Sequence, residues 1–391
     1  MKRMVICLFL GFLLSVLSPG SGLAQALRIG VLIPLSGKLA GFGEVSQKSF
    51  LMALEKINGS GGIGGRPLDL IIEDSASQAS VGRKAMEKLI TRDKVVAVAG
   101  GFSSSVTFEA ASLAQQHRVP FLVTTASADK ITEMGREYIF RLTTPVSEYE
   151  RPLISFLERV AKPENVGVIY ERGPFGAFGL KRLYKVRKKT GIRLVRKDAF
   201  EPGTLDFRPL LEDVKARNPE LIYIISRMEE GALLLTQAAE LGLKPKLFLG
   251  GTAAFTRIEM LDRAQLALEH VFCLSLWLPS APYPGARHYA VKYAARYDTY
   301  PDYHGAQAYA AMEVLADALK RAAIPSPQGV RETLAQTDMD TVFGPVRFSA
   351  YEDKTRQNPH PALLGQWIEG DLETVWPRAL ASCPFVFPLP D

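Results

Sequence analysis

Cysteine is scarce: there are three in 391 residues, and Cys7 falls in an apolar N-terminal run, leaving Cys273 and Cys383. A scaffold held by several disulfides is therefore excluded. In an oxidising compartment the two remaining cysteines can pair or stay as separate thiols, and spacing alone leaves both open. The five histidines (His117, His270, His288, His304, His360) form no HExxH or close pair, so no metal cluster is expected. There is no GxSxG nucleophile elbow and no distinctive carboxylate pair. The one GxGxxG, Gly59 to Gly64, follows a helical stretch and precedes a strand-like one. That order inverts a dinucleotide fingerprint and reads as a helix cap and turn. No cofactor is expected, and a secreted enzyme is only a remote alternative. Charge is nearly balanced, a formal +6 of which Lys2 and Arg3 supply two, which argues against a nucleic-acid partner. Short repeats and low-complexity segments are also missing.

What is present begins with the first 26 residues. Lys2-Arg3, the apolar Met4–Leu17, Pro19-Gly20 and Ala24-Gln25-Ala26 make the three-part layout of a secretory signal. No later apolar run approaches ~18 residues, so the mature chain is expected outside the cytoplasm with no membrane span. Its length suits about two domains.

From Leu27 the chain alternates short apolar strands with amphipathic helices, the grammar of a parallel sheet covered on both faces. Strands are expected at Leu27–Pro34, Pro67–Glu73, Val95–Gly100 and Pro120–Thr124, and helices at Glu44–Asn58, Ser80–Thr91 and Ser105–His117. After Thr144-Pro145 the pattern restarts, with strands at Val166–Tyr170, Arg193–Ala199, Leu221–Ile225 and Lys246–Gly250. The expected helices there are Tyr149–Ala161, Phe178–Thr190, Phe207–Arg217 and Gly231–Leu241, followed by Ala286–Tyr297 and Ala306–Ala322. Antiparallel strands are expected at Val346–Ser349 and Leu363–Glu369, and an irregular, proline-rich tail from Ala379.

Two segments carry chemistry. In Val96–Gln116 a strand ends at Gly100-Gly101, and Ser103-Ser104-Ser105 opens a helix. One serine suffices to cap a helix. Three, beside free backbone N–H groups and the positive end of the helix dipole, suit a small anion or carboxylate. Phe121–Lys130 repeats the idea with Thr124, Thr125 and Ser127. Lys181–Lys197 holds nine basic residues in seventeen, read as a solvated face or a docking surface for a membrane partner or anionic headgroups.

The stretches IGVLIPLSGKLAGFG, ALEKINGSGGIGGRPLDLIIEDSAS, VAVAGGFSSSV and TTASADKIT resemble the periplasmic binding proteins of branched-chain amino acid ABC transporters. The resemblance runs from about Leu27 to Pro377, most specifically before Val271. It implies a type I periplasmic binding fold: α/β, two Rossmann-like lobes with parallel central sheets, joined by three hinge crossings near Thr144, Ser275 and Ala350. The lobes would comprise 27–144 with 276–350, and 145–275 with 351–378, leaving 379–391 as the tail. It also implies a periplasmic receptor that closes on a small carboxylate ligand and delivers it to a membrane permease. A sensing receptor of the same fold is the alternative. By the family pattern Ser104 and Ser127 hold the ligand carboxylate, with Ser105 and Thr125 beside them, and Phe42 and Phe175 pack on its apolar part. Two positions depart. Where leucine binders carry an acidic partner for the α-ammonium this chain has Thr252, and where they carry a tyrosine it has Arg227. Glu229 and Glu230 stand two or three residues from Arg227 and could supply the acid under a shifted register. A buried ammonium without a carboxylate is costly, so the expected ligand is an amino acid or related organic acid other than leucine.

Overall fold

The computed structural model describes residues 25–390; the expected signal segment lies almost entirely outside them. The first lobe opens with β1 (Leu27–Ile33), α1 (Ala40–Gly59), β2 (Leu68–Asp74), α2 (Ala79–Thr91) and β3 (Ala97–Gly100). It continues with α3 (Ser104–Gln116), β4 (Phe121–Val123) and β5 (Ile139–Arg141). The second lobe holds α4 (Arg151–Phe156), β6 (Asn165–Glu171), α5 (Pro174–Thr190), β7 (Arg193–Phe200) and α6 (Arg208–Ala216). To these it adds β8 (Leu221–Ile225), α7 (Met228–Glu240), β9 (Leu247–Gly250), α8 (Glu259–Ala264) and β10 (Phe272–Ser275). The chain then returns through α9 (Ala286–Tyr297), α10 (Tyr303–Arg321) and α11 (Pro327–Leu334). The strands β11 (Asp338–Thr341), β12 (Gly344–Arg347), β13 (Ser349–Tyr351) and β14 (Lys354–Gln357) follow, and it ends with β15 (Leu363–Ile368) and β16 (Asp371–Trp376).

Two seven-stranded sheets result, ordered β13-β14-β5-β4-β3-β1-β2 and β16-β15-β10-β9-β8-β6-β7. Their cores are parallel; β13 and β15 run against the core strands, and the edge strand β16 pairs antiparallel with β15. Strand periodicity shows in the packing. In β8, Leu221, Tyr223 and Ile225 join one apolar layer and Ile222 and Ile224 the other. In β1, Leu27, Ile29, Val31 and Ile33 face one layer and Leu32 the opposite one. Strands buried on both faces have no polar side, which is why they read as unbroken apolar runs.

The same periodicity separates the cysteines. Cys273 is fully buried in one layer of the second sheet, Cys383 packs at the margin of the opposite layer, and both are free thiols. Burial pushes the Cys273 thiol up to about 12. The possible Cys273–Cys383 disulfide is thus corrected: a sheet stands between them.

Other differences from the sequence reading are local. Helix α10 starts at Tyr303, ahead of Ala306, because the Asp302 carboxylate accepts from the N–H groups of His304 and Gly305. Strand β14 pairs with β5, so the chain leaves the first sheet after Gln357 rather than near Ala350. The tail beyond Ala381 has no regular structure, yet it is strapped down: Val386 N–H donates to Gln366 Oε1, Leu389 N–H donates to the Lys246 carbonyl, and Phe385 packs on Phe156.

One backbone feature places the candidate site. Gly100 and Gly101 have φ of +111° and +80°, and a Cβ at Gly100 would overlap the Leu32 carbonyl. Only glycine lets the chain turn across the end of β1 into Ser103–Ser105. Gly100→Ala is expected to cost about 3 kcal/mol or more through backbone strain and overlap, read as a lower denaturation midpoint.

Candidate ligand cleft

The first-lobe wall forms at the carboxyl ends of β3 and β4, where ligands bind in sheets of this type. Ser103 occupies the N-cap of α3 with extended backbone, but no side chain caps the helix, so the first-turn N–H groups stay available. Ser104 Oγ accepts from the Ala128 N–H at 3.2 Å, which sets it against the loop carrying Ser127 and leaves its own proton free. Ser105 and Ser103 hydroxyls lie 3.1 Å apart, and Ser105 is exposed.

Behind them runs a hydrogen-bond chain that the sequence reading missed. Thr125 Oγ1 donates to Gln307 Oε1 (3.0 Å), and Gln307 Nε2 donates to Thr143 Oγ1 (2.8 Å). The Tyr149 phenol sits beside the Thr143 and Ser127 side chains, which favour its ionised form less than burial opposes it. The half-buried Ser127 hydroxyl donates to no acceptor among the described residues, so its proton is available to an anion. Thr125, by contrast, directs its proton to Gln307 and offers only oxygen lone pairs. Burial raises the Tyr149 pKa despite the Ser127 and Thr143 side chains beside it, so the phenol stays neutral.

Phe42, 41% exposed, stacks on Phe102 with centroids 5.4 Å apart, and both rest on His304 at 5.0 and 4.9 Å. Asp302 holds His304 Nδ1 at 2.9 Å. Burial works against the Asp302 carboxylate, but His304 and two backbone N–H groups outweigh it and keep its pKa below the usual range.

On the second lobe, Phe175 opens α5 and lies 5.0 Å beneath the Arg227 guanidinium. Arg227 is 60% exposed at the N-cap of α7, with Nε 3.1 Å from the buried Glu171 carboxylate. Thr252 turns its hydroxyl proton to the Ser226 carbonyl (2.9 Å). Of the two glutamates in the first turn of α7, Glu229 lies 3.4 Å from Arg263, and the buried Glu230 accepts from Gly203 N–H through Oε1 while its Oε2 has no hydrogen-bond partner. The buried Glu150 is shared by Arg182 (2.7 Å) and Lys185 (3.3 Å). Glu150 is fully shared, whereas Glu230 Oε2 is buried without a hydrogen-bond partner, and Glu171 Oε2 meets only the Arg227 charge; Arg227 itself keeps donors facing solvent. A cavity of about 610 Å³ elsewhere, beside the second crossing, is lined by Ser280, Arg287 and Trp367 among others and by none of the expected site residues.

Phe42, Ser104, Ser105 and Ser127 therefore share one wall, with Thr125 behind, and Phe175, Arg227 and Thr252 cluster on the other lobe. Over residues 26–371 the sequence matches the family described as periplasmic binding protein. The chain belongs to that family. This periplasmic binding protein is 25% identical to the Leu/Ile/Val-binding protein homolog 7 of Brucella melitensis, covering 97% of this chain and 98% of the relative. Among solved structures it is similar to a branched-chain amino acid transporter substrate binding protein from Streptococcus pneumoniae in complex with isoleucine. That likeness has a TM-score of 0.69 at 24% identity, covering 89% and 97% of the two chains. A solute binding protein from R. palustris in complex with benzoate aligns with a TM-score of 0.68 at 18% identity, covering 93% and 98%. Both likenesses establish the two-lobed α/β fold.

Proposed function

We propose that this periplasmic binding protein is the extracytoplasmic receptor of an ABC importer and closes its lobes on a small organic carboxylate that needs no ammonium partner. The observation carrying this reading is Ser104 and Ser127 at the mouth of α3, with hydroxyl protons available to an anion, opposite a lobe that offers the exposed Arg227 guanidinium and, at the position of the acid in leucine binders, Thr252 with its hydroxyl committed to the Ser226 carbonyl. Phe42 and Phe102 on one side and Phe175 on the other suit a flat or apolar body. The solved relatives with isoleucine and with benzoate bracket the ligand class, and Arg227 with Thr252 favours keto, hydroxy, aromatic or dicarboxylic acids over leucine. Closure follows if the ligand gains contacts in the closed state that the open state lacks.

A thermal-shift panel of leucine, isoleucine, benzoate, 2-keto acids and a dicarboxylate tests this. Stabilisation by the non-amino acids supports it, and a large shift with leucine or isoleucine alone overturns it. Arg227→Gln should weaken a ligand with a second anionic group by roughly 10-fold or more, at about 1.5–3 kcal/mol for a charged hydrogen bond. It should leave a monocarboxylate within about threefold, since the first carboxylate lies on the other lobe. Calorimetry on the responding ligands checks the difference.

A further inference from the structure

We propose that the outer face of α5 and β7 is a docking surface for an anionic phospholipid leaflet. The observation is a segregation of charge that ligand binding does not use. Lys181–Lys197 contains nine cations and no acid, more than the net excess of the whole chain, so the remainder is net acidic. Folding neutralises few of them. Arg182 and Lys185 share Glu150, and Arg196 pairs with Asp198 and Asp213. Lys181, Lys188, Lys189, Arg193 and Lys197 are exposed and have no carboxylate partner among the described residues.

Two structural facts turn this run into a surface. Helix α5 buries Leu180, Leu183 and Val186 against the sheet, which turns Lys181, Lys188 and Lys189 outward. Strand β7 is the outermost strand of that sheet and adds Arg193 and Lys197. Exposed lysines on an edge strand also discourage strand addition, but that leaves the helix unexplained. Aromatic rings lie among the cations: Phe178 is 61% exposed and Tyr184 40% exposed, Arg187 lies 5.8 Å from the Tyr184 ring, and Lys197 sits 5.9 Å from the Tyr170 ring. Basic side chains with interleaved aromatics match the interfacial zone of a bilayer, where amphipathic rings sit at headgroup depth and cations meet lipid phosphates.

The test is co-sedimentation of the purified protein with vesicles of phosphatidylglycerol and phosphatidylcholine, against vesicles of phosphatidylcholine alone. Binding is expected only to the anionic vesicles and should fall steeply between about 0.1 and 0.5 M salt as screening shortens. It should survive added inorganic phosphate, which a site for free phosphate would not. The combined variant Lys181→Gln, Lys188→Gln and Lys189→Gln should lower partitioning by about tenfold or more, with the thermal midpoint unchanged. Replacing the same three lysines by arginine should retain binding. Equal binding to both vesicle types, no binding to either, or undiminished binding by the glutamine variant would overturn the proposal. None of these outcomes depends on which ligand the cleft takes.

Discussion

Replacing both Ser104 and Ser127 by alanine is expected to lower affinity for the carboxylate ligand by roughly 100- to 10,000-fold. A hydrogen bond to a charged acceptor contributes about 1.5–3 kcal/mol, and two such donors act on one group. Ser104→Ala alone should cost roughly 10- to 100-fold, and it also leaves the Ala128 N–H without its acceptor. Tyr149→Phe keeps the ring but removes the polar hydroxyl beside Ser127. It should therefore weaken carboxylate binding by a few-fold to about tenfold and leave the Ser104 effect intact. Isothermal calorimetry with the ligand found by the thermal-shift panel is the measurement. Affinity unchanged in the double variant would remove the α3 mouth from the site.

The second large effect concerns stability. Phe156→Ala should cost about 3–5 kcal/mol, as expected for deleting a fully buried aromatic side chain. Phe156 is 0% exposed and contacts Phe272, Trp376, Phe385 and Phe387. Two of these four rings belong to the irregular tail, so the cavity should also loosen the segment after Ser382. Denaturant titration reads the first effect, and limited proteolysis should show earlier cleavage in the tail. A tail as resistant as in the parent would mean that its backbone bonds to Gln366 and Lys246 suffice.

What could be read in the sequence follows from how local each signal is. Strand β8 and helix α9 have the expected bounds, because a run of apolar residues and a clean helical period are local facts. The serines of α3 stood out for the same reason: a glycine pair and three hydroxyls sit in consecutive positions. Gln307 and Tyr149 left no such trace. They reach the cleft from segments far from Ser127 in the chain, and a lone glutamine inside a helix or a tyrosine after a crossing has no distinguishing pattern. Phe102 escaped because a single aromatic beside Gly101 reads equally as core. Strand β14 was missed because its Lys-Thr-Arg-Gln sequence lacks the apolar run that marks a buried strand, and its pairing with β5 displaced the third crossing. Arg227 and Thr252 carry no local signal of their own, and only folding brings Glu171 and the Ser226 carbonyl beside them.

The strapped tail has a practical consequence. Leu389 is bonded to Lys246, just before β9 begins, so the C-terminus leaves the second lobe at its base, remote from the strand ends that face the cleft. Leu27 begins β1 at the corresponding base of the first lobe. A donor and an acceptor dye attached beside Leu27 and Leu389 would thus ride on different lobes. Their separation would report the bite angle without a label touching the mouth.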